Sequence, residues 1–218
     1  MNIAIASGKG GTGKTFVATN LARVLSSAAV ADLDVEAANA HLFLAPVKLT
    51  SRAAEVLVPR VDKASCTRCG ACAKACRFNA LAMAGQAGVM VFNELCHSCG
   101  ACRAVCPSQA VRMMPHEVGR VRRGEVGGRL FADGELAVGQ VRSTAVIRQV
   151  KEELGGASLQ LWDCPPGTGC AAREALEGAD ACLLVTEATP FGLHDLALAA
   201  ELLAALAVPA AVVVNRDG

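Results

Sequence analysis

The feature that most limits how this chain can fold is the octapeptide Gly8-Lys9-Gly10-Gly11-Thr12-Gly13-Lys14-Thr15. It fits G-x-x-x-x-G-K-[ST], a loop whose glycines let main-chain N–H groups turn inward around phosphate oxygens. Such a loop works only where a strand delivers the chain to it and a helix starts at its end, because the helix N-terminus adds unpaired N–H groups and a positive dipole end. The flanks supply both. Residues 2–6 form a short apolar run, and residues 14–27 place Ala, Leu and Val at helical spacing.

The same grammar recurs. Residues 28–33 form an apolar run leading into Asp32-Leu33-Asp34, and runs at 159–162, 181–185 and 210–214 read as buried strands. Helical patterns fall at 143–154 and 193–206. Apolar strands alternating with helices predict an α/β fold whose mostly parallel sheet is covered on both faces. Residues 117–138, with several glycines and alternating Val, Leu and Phe, predict an antiparallel excursion that returns to that sheet.

Between the two halves the texture changes. Eight of the eleven cysteines fall in two runs, Cys66-x2-Cys69-x2-Cys72-x3-Cys76 and Cys96-x2-Cys99-x2-Cys102-x3-Cys106, thirty residues apart. Clustered cysteines point to metal rather than to a disulfide framework. This spacing is that of bacterial ferredoxins, in which the fourth cysteine of each run ligates the other cluster. One [4Fe-4S] cluster would take Cys66, Cys69, Cys72 and Cys106, and a second would take Cys96, Cys99, Cys102 and Cys76. Zinc is the competing metal, but its structural sites usually present two separated pairs of ligands. Pro107 follows Cys106 as the pattern expects, whereas Arg77 stands after Cys76. Cys164, Cys170 and Cys182 lie outside the runs and read as small apolar side chains.

Lys9 inside the glycine loop makes the motif K-G-G-T-G-K-T, and with it the chain resembles the MinD/ParA/Mrp superfamily of P-loop ATPases. Asp163-Cys164-Pro165-Pro166-Gly167-Thr168-Gly169 resembles that family's Walker B and switch II segment, and the stretch from Val185 to Asp195 belongs to the same likeness. The resemblance, taken with the cysteine runs, is to members carrying an inserted ferredoxin module. It implies P-loop ATPase segments at 1–60 and 116–218 around an α+β ferredoxin-like insert at 61–115. The chain stops at Gly218, where members of the resembled family continue with further strands and helices.

The roles follow from both lines. Gly8 to Gly13 would cradle ATP or ADP, Lys14 would reach the β- and γ-phosphates, and Thr15 would ligate Mg²⁺. By the resemblance, Lys9 would reach a partner's phosphates across an ATP-dependent homodimer. By the same likeness Asp34 would position water, with Asp32 and Asn39 nearby, Asp163 would hold the Mg²⁺ shell, and Asn215 would contact adenine. From the residues alone, Lys9 also reads as a solvated loop charge, and either aspartate of the 32/34 pair as a helix cap.

A hydrophobic content of 53% is enough to bury a substantial core. The net charge of +1 supplies neither a nucleic-acid footprint nor a polybasic membrane anchor. No run of about eighteen apolar residues predicts a membrane segment, and no basic start predicts a leader. The expected location is cytoplasmic. Three function classes compete: a slow ATPase gating electron transfer to an unidentified partner, an Fe-S carrier, and a MinD-like spatial organiser with a redox sensor.

Overall fold

The computed structural model describes residues 1–216. The chain runs β1 (Asn2–Ala6), α1 (Lys14–Val24), β2 (Ala29–Asp32), α2 (Ala40–Leu44) and β3 (Val47–Val61). It continues through α3 (Ala71–Ala75), β4 (Leu81–Met83), β5 (Val89–Val91), α4 (Ala101–Ala104), β6 (Val111–Val126) and β7 (Arg129–Leu136). It closes with α5 (Ser143–Glu153), β8 (Gln160–Asp163), α6 (Cys170–Leu176), β9 (Ala181–Glu187), α7 (Pro190–Ala205) and β10 (Ala210–Asn215). The main sheet has the order β10-β9-β1-β8-β2-β7-β6-β3. Its pairings from β10 to β7 are parallel, and β6 runs antiparallel to β7.

The expected elements and the observed ones differ mainly at their ends. Helix α1 stops at Val24, three residues short of the predicted end, where Ser26 and Ser27 favour a turn over a helical turn. Strand β8 begins one residue later than expected, so that Asp163 becomes its last residue. Helix α7 starts three residues earlier: Thr189 caps it by accepting from the Gly192 N–H at 3.0 Å, and Pro190 stands in the first turn, where a missing N–H costs nothing. The excursion at 117–138 is the β6–β7 hairpin, with Val126 opposite Arg129, and β7 then lies parallel to β2. Strand β3 was not predicted. Lys48, Thr50, Ser51 and Arg52 give its first half no apolar alternation, and those residues are exposed.

The chain divides into two compact units, one of residues 1–54, 119–138 and 142–216, the other of residues 55–118 and 139–141. The second unit is wider than the 61–115 span expected for an insert. Asp217 and Gly218, the end of the span assigned to the second ATPase segment, lie outside the described residues. In the first unit Ile5, Val30, Leu161, Phe131 and Val185 pack against Ala18 and Ala22 of α1. The small residues on the helix let it lie close to the sheet, and that places the end of β1 directly before the N-terminus of α1. In the second unit Val58, Ala80, Leu81 and Val111 share a core with Cys72, Cys96 and Cys102.

Candidate functional site

The glycine loop joins β1 to α1 across residues 7–13. Gly13 caps α1 at φ +94°, a left-handed conformation natural only to glycine, and a Cβ there would collide with Asn215 Nδ2. A Cβ on Gly8 would collide with the main-chain carbonyl of Asp195 in α7. On Gly10 and Gly11 it would meet nothing within 4 Å, so the loop is packed from behind and open in front. Asn215 Nδ2 donates to the Thr12 carbonyl at 2.8 Å, and Ser7 Oγ donates to the Lys9 carbonyl at 2.8 Å. These bonds hold the loop in shape. A groove opens in front of it, lined by Gly10, Gly13, Lys14, Thr15, Asp34, Asn39 and Pro166.

Register brings the charges together. Ile5 of β1 pairs with Asp163 of β8, and Asp163 pairs with Asp32 of β2, so both aspartates stand at the carboxyl ends of adjacent parallel strands. Lys14 Nζ lies 2.6 Å from Asp163 Oδ1, with side-chain exposures of 8% and 0%. Burial alone would lower the Lys14 pKa, but Asp163, helped by Asp34 and Asp32, more than offsets it and the net shift is upward. Asp163 Oδ2 is buried with no hydrogen-bond partner among the described residues. An orphaned carboxylate oxygen on the aspartate that holds Lys14 fits the water shell of a bound Mg²⁺, and Lys14 and Thr15 line the groove.

Asp32 acts on the backbone. Its Oδ2 accepts from the N–H groups of Asn39 and Ala40 at 2.9 Å each, and its Oδ1 accepts from Asp34 N–H at 3.1 Å. It therefore folds the 34–39 loop and caps α2, which is the capping alternative of the sequence reading. Asp34, free of that duty, points into the groove. Burial pushes its carboxyl upward, aided by Asp163 and Glu36 and opposed by Lys14.

Burial, and then the charge of Asp163, push Asp32 up to about 7 from an ordinary 3.8. A raised carboxyl takes up a proton on folding, so its favourable contribution is full below 3.8 and is lost as pH rises toward about 7. In nucleotide-free protein Asp32→Asn is expected to flatten that part of the stability profile. Urea titrations at pH 5 and pH 8 would show the wild type losing more than the variant across the interval.

Lys9 stands 3.2 Å from Glu187 Oε2, while Arg216 engages Glu187 Oε1 at 2.6 Å. Glu187 falls inside the Val185 to Asp195 stretch of the resemblance and at the end of an apolar strand, but neither signal gives it a role. A second missed cluster is Asp133, fully buried on β7, which takes two hydrogen bonds from Arg122 at 2.7 and 2.6 Å and lies 3.4 Å from His41 Nδ1. His41 belongs to α2, the helix that Asp32 caps.

In the second unit the backbone repeats with the cysteines. Arg68 and Ser98 have φ +57° and +56°, Gly70 and Gly100 +75° and +73°, Asn79 and Gln109 +54° and +53°. The strands interleave reciprocally: Asp62 N–H donates to the Ala110 carbonyl, and Phe92 N–H donates to the Ala80 carbonyl, both at 2.8 Å. Cys76 accepts from Ala80 N–H at 3.3 Å, and Cys96 from Ser98 N–H at 3.4 Å. A cavity in this unit is walled by Cys76, Cys96, Cys99 and Cys102. Burial raises the Cys72 thiol, and proximity to Cys106 and Cys66 raises it further. Cys69, like Cys99, is exposed. Among the described residues no three His, Cys, Asp or Glu side chains come close enough to hold a single metal ion.

Of the other cysteines, Cys164 and Cys182 are buried, and burial pushes Cys182 up to about 12 and Cys164 higher still, which leaves both as unreactive thiols. Cys170 is exposed, so the small-apolar-residue reading holds for two of the three.

A phosphate loop at the end of β1, a basic side chain locked to a β8 aspartate and a mostly parallel sheet define a nucleotide-binding domain. The family model of the CobQ/CobB/MinD/ParA nucleotide binding domain matches residues 3–217. The chain belongs to that family. An uncharacterized protein of Methanocaldococcus jannaschii is 34% identical over the whole chain and 79% of its own length, and a second from the same organism is 26% identical over the whole chain and 81% of its own. The fold of this MinD/ParA-type domain matches the cell division ATPase MinD of Pyrococcus furiosus, with TM-score 0.54 and 21% identity over the whole chain and 72% of that structure. It likewise matches the septum site-determining protein MinD of Pyrococcus horikoshii in complex with Mg-ADP, with TM-score 0.55 and 21% identity over the whole chain and 70% of that structure. No helix among the described residues is long and apolar enough to cross a membrane.

Proposed function

We propose that this MinD/ParA-type domain is a slow ATPase with the deviant Walker A loop K-G-G-T-G-K-T, switched between monomer and dimer by ATP, and that its inserted module carries two [4Fe-4S] clusters for electron transfer to a partner. One observation carries the reading: the cavity walled by Cys76, Cys96, Cys99 and Cys102 joins one thiol of the first cysteine run to three of the second. That is the ligand set which the interleaved spacing demands of one cubane. The nearness of Cys72 to Cys66 and Cys106 supports the complementary set, whose fourth member, Cys69, is exposed. A cubane spreads its thiolates more widely than one ion does, so thiols too far apart for a single metal still suit it. Bound there, the clusters would supply one-electron carriers, and the N–H groups of Ala80 and Ser98 directed at sulfur would raise their potential.

In the ATPase half, the loop N–H groups and Lys14 would bind the phosphates, and Thr15 with Asp163 would hold Mg²⁺. Nucleotide arrival would draw Lys14 from its ion pair with Asp163, coupling binding to the charge at the end of β8. Asp34 would orient the attacking water. Lys9 would leave Glu187 to reach the partner's phosphates, where a second cation offsets charge developing at the γ-phosphate. Asn215 would sit near the base while bracing the loop.

Oxygen-free purification followed by iron and sulfide counting and a redox titration with and without Mg-ATP tests both halves together. Bound cubane iron and an ATP-dependent potential are expected; a protein holding zinc or no metal after such handling removes the redox half. Asp34→Ala is expected to bind ATP, dimerise and stop turning over, as size-exclusion and phosphate-release assays would show. Unchanged turnover would take Asp34 out of the mechanism.

A further inference from the structure

The second unit contains a cavity distinct from the nucleotide groove and from the cavity walled by Cys76, Cys96, Cys99 and Cys102. It holds about 370 Å³, is open to solvent, and lies wholly within that unit. Arg60, Lys63, Arg68 and His116 line it, Val89 and Val91 contribute apolar wall, and no Asp or Glu is among the lining residues. Among the described residues Arg60, Lys63 and Arg68 form no ion pair, so no carboxylate of the chain occupies their side of the cavity. His116 is half-buried, and its Nε2 is shielded from solvent without a hydrogen-bond partner among the described residues.

Cations gathered around one concavity repel each other, and a buried ring nitrogen left unbonded costs free energy. Both costs are offset when an anion enters. The chain as a whole carries a net charge of only +1, so this is a local arrangement and not overspill from a basic protein. Apolar walls with a few convergent polar groups are the usual form of a small-molecule site, and the space available suits one molecule of metabolite size.

We infer that this cavity binds a small organic anion, one or more carboxylate or phosphate groups on an apolar body. The anionic groups lie against Arg60, Lys63 and Arg68, the apolar body rests on the valines, and His116 supplies a hydrogen bond deeper in. The inference rests on the cavity's own lining and not on cluster occupancy. Cys66 also lines the cavity, so an occupant would lie beside one of the thiols assigned to a cluster and could alter its redox behaviour through charge.

Calorimetric titration of the anaerobically purified full chain, with its nucleotide groove saturated by Mg-ADP, provides the test. The probes are benzene-1,3,5-tricarboxylate and phenyl phosphate. Saturable one-to-one binding, weakened by salt, is expected for at least one probe; binding of one alone assigns the head group. Arg60→Gln combined with Lys63→Gln is expected to lower affinity at least about tenfold. Both residues are exposed and lie outside the cysteine runs, so fold, iron content and Mg-ADP binding should stay as in the wild type. His116→Phe, which keeps the bulk and removes the donor, is expected to weaken the same probe. No saturable binding of either probe, or binding undiminished in the double variant, would overturn the assignment.

Discussion

Lys14→Ala is expected to abolish Mg-ADP and Mg-ATP binding and, beyond that, to destabilise the nucleotide-free fold by about 3–5 kcal/mol. The binding loss follows from removing the only lysine that lines the groove among the described residues. The stability loss follows from its partner. Asp163 is fully buried, its Oδ1 is satisfied by Lys14 at 2.6 Å, and its Oδ2 has no partner among the described residues. Taking the lysine away leaves a carboxylate without water or counter-charge, and breaking a buried pair from one side is costly where replacing both members is not. Lys14→Ala with Asp163→Asn should therefore recover most of the stability while binding stays absent. Urea unfolding of the wild type, single and double variants measures this. Equal losses in the single and double variants would show that the ion pair is not the source. Iron content should be untouched in either, because the groove and the cysteine-lined cavity belong to different units.

Cys76→Ser carries the second large effect. Under the interleaved ligand assignment it should cost about half of the bound iron and sulfide, and the half lost should be the same one that Cys102→Ser removes. Combining Cys76→Ser with Cys102→Ser should lose no more than either alone, whereas combining Cys76→Ser with Cys72→Ser should empty the protein. This pattern is specific, since Cys76 and Cys72 are four residues apart in one run while Cys102 is in the other. If Cys76→Ser behaved as an equivalent of Cys72→Ser, each run would hold its own cluster and the cavity walled by Cys76, Cys96, Cys99 and Cys102 would have been misread. Metal analysis and low-temperature electron paramagnetic resonance of the reduced variants distinguish the cases.

A good part of this protein is determined by the local pattern of its residues. The span 2–6, the octapeptide and the onset of helix at Lys14 could be read directly, because a phosphate loop has a narrow local solution in which a strand must end and a helix begin. The thirty-residue repeat was equally legible, and the paired left-handed residues Arg68 and Ser98, Gly70 and Gly100, show the backbone obeying the same period. In both places the constraint is local, and nearby residues carry it.

Only the tertiary structure decided the rest. Asp32 and Asp34 are indistinguishable as letters, yet parallel register buries Asp32 beside Asp163 and turns its oxygens to three backbone N–H groups, leaving Asp34 to face the groove. Glu187 acquires meaning because β9 ends where both Lys9 and Arg216 can reach it. Strand β3 forms although nothing in its polar first half asks for it, because strand pairing is set by what a neighbouring edge offers and not by intrinsic preference alone. The cations of the second unit, scattered from Arg60 to His116 in the chain, surround one cavity only when distant segments fold together. Spacing along a chain fixes contacts within a turn or two; contacts between residues far apart depend on register and packing, which no short stretch of sequence contains.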